Sequence, residues 1–200
     1  MLRRSIAVLS VVTVFVLAVI FGAHSPRINA ANEPTASPAS QDTTRHKKLS
    51  KEERMLGGTP QDIQLTSEEQ RFVELTNADR KANGAGELTV APLLVKVARE
   101  KSKEMHDLNY WGHESPVPEK RTAMRRLLYY LPEPPQTMTV GENLYYCSQV
   151  RVDEGEKALM NSPTHRKNIL NPDYKYVGIG TYTAPDGQFW TSEVFLKIQY

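Results

Sequence analysis

ALMNSPTHRKNILNPDYKYVGIG, residues 158–180, packs the end of one helix, the start of a second and the opening of a strand into a single stretch. Apolar positions running into it give a helix over Val152–Met160. Ser162-Pro163 then restarts a helix, with Ser at the N-cap and Pro in the first helical position. From Tyr176 to Tyr182, Val177 and Ile179 alternate with glycines, which is strand patterning. Pro185-Asp186-Gly187 turns the chain into Gln188–Leu196, so the last two strands are predicted to form a hairpin.

Toward the N-terminus the pattern is mostly helical. Thr66 caps a first helix, Glu69 completes a capping box, and Phe72, Val73, Leu75, Thr76 and Asp79 follow at helical spacing until Asn83-Gly84. Pro92 opens a second helix whose Leu93, Leu94, Val97, Ala98, Ser102 and Met105 recur every three or four residues to about Leu108. Its other side carries Lys96, Arg99, Lys103 and His106, which read as a solvated face. A third helical piece spans about Glu119–Tyr130 and stops at Pro132, Pro134 and Pro135. Met138–Tyr146 is β-favouring and interrupted by Gly141. Helices first and last, with late antiparallel strands, predict an α+β layered fold.

The remaining composition bounds the context. Two hundred residues hold one ordinary domain with extensions. The formal charge is +2, but Arg3, Arg4 and Arg27 lie in a first segment without acids; the other 22 basic residues face 23 acidic ones, a net of −1. A basic nucleic-acid surface is therefore not indicated, and no nucleic-acid partner is expected. Residues 1–30 read as a signal peptide or N-terminal membrane anchor: positive start, then an uncharged apolar run from Ile6 to Ala23. Either way the domain is placed outside, secreted or held on the outer face of the cytoplasmic membrane, with membrane contact through this segment alone. Residues 31–64, rich in Pro, Ser, Thr and charge, read as a flexible linker, and 65–200 as the folded domain. Cys147 is the single cysteine, so the fold has no internal disulfide.

Three polar runs carry the chemistry. GHESP (112–116), GEN (141–143) and NSPTHRKNIL (161–170) each offer one group suited to proton or metal work: His113, Glu142 and His165. At the third position of its helix, His165 meets the positive helix end, which favours the neutral ring. Asn143 and Ser162 stand beside these residues as further candidates for a ligand-binding cleft. Two His and one Glu match an open zinc set with a position left for water, so zinc is the cofactor to consider and all three are candidate ligands. The same three residues equally suit hydrogen bonds that lock a loop to a helix end. Cys147 lacks any papain-type surroundings, and Ser115 and Ser162 lie outside a GxSxG elbow. Trp111, Tyr129, Tyr130, Tyr145, Tyr146 and Trp190 either fill the core or line a groove.

These runs, together with FVELTNADRKANG, ELTVAPLLVKVAREKSKEM, GENL and FWTSEVF in order between about Glu68 and Phe195, resemble the bacterial form of the CAP superfamily of cysteine-rich secretory, antigen 5 and pathogenesis-related 1 proteins. The resemblance implies an α-β-α sandwich with a central antiparallel sheet and a cleft where two His and two acids sometimes hold zinc. His113, Glu142 and His165 match three of those positions. Where many eukaryotic members carry Glu before the second His this chain has Asn161-Ser162, and Leu159 stands for a usual Trp. Glu154 and Glu156 lie too early to replace that acid, and Glu193 reads as a sheet-surface carboxylate, with an acid restored near the cleft as the alternative. The expected function is a cleft that binds an extracellular ligand (lipid, cell-wall polymer or peptide). The alternative is a zinc-dependent or general-base hydrolase, peptidase- or esterase-like, using the same residues. The sequence leaves enzymatic activity open, and the absent fourth acid tilts the reading to binding.

Overall fold

The capping box read at Thr66 and Glu69 closes in the computed structural model, which describes residues 48–131 and 133–199. The Thr66 hydroxyl accepts from the Glu69 amide at 3.2 Å, and the Glu69 carboxylate accepts from the Thr66 amide at 2.9 Å. In chain order the elements are α1 (Lys51–Met55), α2 (Ser67–Ala82), β1 (Thr89–Val90), α3 (Pro92–Asp107), α4 (Ala123–Tyr130), β2 (Thr137–Cys147), α5 (Val152–Asn161), α6 (Pro163–Ile169), β3 (Tyr176–Thr183) and β4 (Phe189–Gln199). No helix among the described residues is long and apolar enough to cross a membrane. The segment read as signal or anchor, and the linker up to residue 47, lie outside the described residues.

Order begins earlier than composition indicates. Residues 48–64 were assigned to the linker, yet Ser50 and Glu53 close a capping box on α1, and Leu56 is buried against the second layer of core. A short polar segment can be fixed in this way by one cap and one apolar anchor.

The four strands lie in the order β1-β3-β4-β2, antiparallel except for the two-residue parallel pairing of β1 with β3. Strand alternation sends Val177, Ile179, Phe189 and Phe195 to one face, where Phe72 and Val73 of α2, Leu159 of α5 and Ile169 of α6 complete a core. Val194 and Leu196 point to the other face, against Leu94, Val97 and Ala98 of α3 and Leu127 of α4. The result is the expected α-β-α sandwich, with β2 as an edge strand.

Two features set the spacing of the layers. A methyl group on Gly178 would stand 2.0 Å from the Leu94 carbonyl carbon, and one on Gly180 would stand 2.0 Å from the Arg99 amide, so α3 lies directly on the backbone of β3. Glu69 is fully buried and binds the elements together: Arg99 donates to it at 2.7 and 2.5 Å, and the Thr181 amide at 3.2 Å. Arg99 thus belongs to a salt bridge rather than to the solvated face its spacing indicates. On the opposite side, buried Arg80 donates to the carbonyls of Ile169 and Asn171 at 2.6 and 2.8 Å and so caps the end of α6.

Gly180→Ala should therefore destabilise the domain by about 3 kcal/mol or more, since the methyl meets rigid helix backbone. A thermal melt of the variant indistinguishable from the parent would refute this close packing.

Candidate functional site

Two charged side chains of α3 reach from beneath into the loop that follows it. Lys101 is 1% exposed and donates to the carbonyls of Gly112 at 2.7 Å and His113 at 3.2 Å, and to the Tyr110 hydroxyl at 3.1 Å. Burial lowers its ammonium pKa, while the charge of Glu142 acts in the opposite sense. Glu104 accepts from the Tyr110 hydroxyl at 2.5 Å, from Ser115 at 2.6 Å and from buried Arg126 of α4 at 2.6 and 3.0 Å. Burial alone would raise the Glu104 carboxyl, but the bonds from Arg126, Ser115 and Tyr110 outweigh it and hold the group at about 2. Ser115 is buried and spent on Glu104 and the Val117 amide, so it is no nucleophile.

This frame delivers His113 to β2. Its Nδ1 lies 2.9 Å from Oε1 of Glu142. A carboxylate only accepts, so in the neutral ring Nδ1 carries the proton and Nε2 keeps its lone pair. The side chain of His113 is 58% exposed and that of Glu142 5%, which leaves the imidazole open above a covered carboxylate.

The second half of the site comes from the opposite face of the sheet. The Asn143 amide nitrogen donates to the His165 carbonyl at 3.2 Å and to Glu193 at 2.9 Å. Asn168 donates to the Asn143 side-chain oxygen at 2.9 Å and to the Glu142 carbonyl at 3.2 Å. Asn143 is thus fully buried and stitches α6 to β2, instead of facing a ligand as the sequence indicates. The His165 pKa is lowered, by burial first and then by His113, and not by the helix end invoked from the sequence. Ser162 does stand at the N-cap of α6, but its side chain makes no capping hydrogen bond.

Beneath Asn143 lies a pair that spacing does not reveal. Glu193 is fully buried on the central strand β4, not on the sheet surface, and Glu156 of α5 is 2% exposed. The single Thr76 hydroxyl stands 3.2 Å from a Glu156 oxygen and 3.3 Å from a Glu193 oxygen. One proton cannot be donated to both, and the second Glu156 oxygen has no hydrogen-bond partner, a position far costlier for a carboxylate than for an acid. Both carboxyls are pushed up, by burial first, and Glu156 further by the charge of Glu193. The pair shares a proton, and neither acid opens to the cleft as a fourth site residue.

An open cleft of about 480 Å³ is lined by His113, Glu114 and Glu142, while His165, Asn143 and Ser162 are not among its lining residues. Val140 and Gly141 lie at its floor, with His113 and Thr122 on one wall and Asn168 and Tyr174 on the other. Gly141 is required here, because a Cβ would stand 2.6 Å from the Tyr174 hydroxyl. Among the described residues no group of three or more His, Cys, Asp or Glu is arranged to hold a metal ion. One oxygen of Glu142 is taken by His113, which makes the carboxylate the orienting partner of that ring.

The remaining candidates fall elsewhere. Trp111 and Tyr146 are 54% and 41% exposed and stack about Trp190, with ring centroids 5.8 and 4.4 Å from it. His106 joins that cluster 5.0 Å from Tyr182, so it is a packing residue more than a solvated one. Tyr129 and Tyr130 sit by the Lys120 ammonium, while Tyr145 packs on the first core. Cys147 ends β2; the backbone of Gln149 and then the Tyr145 side chain, both two residues away, lower its thiol pKa.

Comparison with known proteins agrees with this architecture. The description of the cysteine-rich secretory protein family, CAP, matches residues 73–196. The uncharacterized protein YkwD of Bacillus subtilis is 34% identical over 167 residues, covering 84% of this chain and 62% of that one. An extracellular protein containing an SCP domain from Bacillus anthracis superposes with a TM-score of 0.55 at 27% identity, over 68% of this chain and 45% of the other. An outer surface protein of Borrelia burgdorferi reaches 0.58 at 20% identity, over 68% of this chain and 97% of that one, a likeness of fold alone. The chain thus spans about three fifths of YkwD and under half of the Bacillus anthracis protein.

The shared proton has a measurable consequence. Carboxyl pKa values raised by folding contribute stability that is complete below the ordinary carboxylate range and is lost as pH rises through the folded values. Urea unfolding of the parent should show lower stability at pH about 9 than at pH about 6, and Glu156→Gln, which mimics the protonated form, should flatten that decline. Equal alkaline losses in parent and variant would exclude a shared proton.

Proposed function

The chain belongs to the cysteine-rich secretory protein (CAP) family, and from that premise we propose that it is an exported domain whose cleft binds an extracellular ligand at the His113–Glu142 pair, with His165 on the facing layer. One observation carries the reading: a carboxylate-oriented imidazole stands half open at the head of a cleft, while the acids behind it are sealed inside the sheet. Polar groups fixed in advance at the end of a groove bind without the cost of ordering them. Export is supported by the charged start and apolar run of residues 1–23, and by the extracellular description of the Bacillus anthracis protein. The apolar run then acts as a cleaved signal or as an anchor to the outer face of the membrane.

A second reading rests on the same pair. An imidazole with Nδ1 held by a carboxylate and Nε2 free is the form in which histidine accepts a proton from water. Glu114, the other acid lining the cleft, is exposed and stands 3.8 Å from Arg121, and Glu156 and Glu193 are buried away from it, which weights the proposal toward binding. Neither reading is built on zinc, because among the described residues His113, Glu142 and His165 are not grouped as a ligand set.

Binding of phospholipid vesicles, soluble cell-wall fragments and peptides should be compared in the full-length chain and in Glu142→Gln. One class is expected to bind saturably and to weaken about tenfold in the variant, as for loss of a charge-assisted hydrogen bond. Zinc added to the metal-free protein should leave that binding unchanged. Equal affinity in parent and variant for every class would refute the proposal, and tight one-to-one zinc binding lost in His113→Ala and His165→Ala would make the trio a metal site.

A further inference from the structure

The edge of β2 that faces the cleft is an unfilled strand position. The Lys175 amide donates to the Leu196 carbonyl at 3.0 Å, so the main-chain groups of Leu196 face β3. Leu196 is the register partner of Val140, and therefore Val140 turns its own N–H and C=O away from β4. Two residues along, the Glu142 carbonyl points the same way and is taken by the Asn168 side chain, which confirms the parity independently. Among the described residues no hydrogen bond is recorded to the outward N–H and C=O of Val140 or to the N–H of Glu142. These groups stand at the cleft floor, beside His113.

Monomeric sheets usually shield such an edge with charge or proline. Here the strand reads Thr137-Met138-Thr139-Val140-Gly141, with no charge before Glu142. We propose that the open edge of β2 takes an extended polypeptide segment as an added strand, which makes the ligand of this cleft a peptide. The proposal rests on the reading of the cleft as a ligand site and names the ligand's class. Alternating donors and acceptors at strand spacing are matched by a peptide backbone and not by an acyl chain. The walls formed by His113 and Thr122 on one side and Asn168 and Tyr174 on the other favour a single strand over the edge of a second folded sheet. Asn168 closes the Glu142 carbonyl and so sets where pairing stops. An added strand would then run along Val140 toward the His113–Glu142 pair.

The test uses the full-length chain and a library of capped random octapeptides. Binders are remade with N-methyl groups on alternate residues, a change that removes backbone donors while keeping every side chain. Methylation in one parity should weaken binding about tenfold or more and in the other parity by less than about twofold. Val140→Pro should reproduce the loss without breaking the β2–β4 ladder, because the Val140 N–H is not part of it. Absence of binders, or equal sensitivity in the two parities, overturns the inference. A peptide copying residues 31–47 that displaces the binders would assign the edge to the chain's own linker and overturn it likewise. Vesicles or wall fragments that bind in a Glu142-dependent way, with no peptide bound, would sink the peptide and leave the ligand site standing. No Glu142-dependent ligand of any class would sink both.

Discussion

The buried ion pair of Glu104 with Arg126, seated on α3 and α4, is the interaction on which the site depends. In the loop after α3, Tyr110 and Trp111 pack on the cluster around Trp190, but Gly112 to Ser115 carry no apolar side chain with which to hold His113 in place. Glu104 supplies what the loop lacks, taking hydrogen bonds from Tyr110 and Ser115 at both ends while Arg126 balances its charge. Lys101, one helical turn earlier, holds the carbonyls between those ends. Removing one partner of such a buried pair costs about 3–5 kcal/mol, because the other is left charged and unpaired. The geometry of His113 is therefore tied to the folding of α3 and α4 themselves.

From that anchor the rest of the site follows by layers. Strand alternation puts Glu142 on the α3 face of the sheet, where the anchored loop meets it, and Asn143 on the opposite face, where α6 arrives. The two imidazoles thus come from different layers, on either side of an edge strand. The buried Asn143–Asn168 hydrogen bonds keep α6 in register with β2, and the proton shared by Glu156 and Glu193 removes a charge that this interior could not hold. The cleft remains open because, among the described residues, nothing pairs with the outer edge of β2 near Val140.

Much of this was legible in the sequence. The capping box at Thr66, the Pro92 start, the hairpin at Pro185-Asp186-Gly187 and the His113, Glu142 and His165 runs are local signals, and local signals survive folding. What escaped was nonlocal. Lys101 and Glu104 look like ordinary charges on an amphipathic helix, and only the return of the loop over α3 buries them. Glu193 looked like a surface acid because alternation alone does not say which face α2 and α5 will cover, and Asn143 looked like a cleft residue because it adjoins Glu142. Residues 48–64 looked like linker because their order depends on burying Leu56 in a core formed by segments far along the chain.

The most direct test of the account is the hydrogen bond it places at the head of the cleft. Long-range proton–nitrogen NMR spectra of the histidine rings, recorded for the parent, for Lys101→Met and for Glu104→Gln, report which ring nitrogen of His113 carries the proton. The parent should show Nδ1 protonated and bonded to Glu142 in the neutral ring, and Lys101→Met, with the loop released, should show a mixture of tautomers approaching that of a free histidine. A His113 signal unchanged both in Lys101→Met and in Glu104→Gln would mean that the loop is placed by something other than the buried charges of α3, and the central claim would fail.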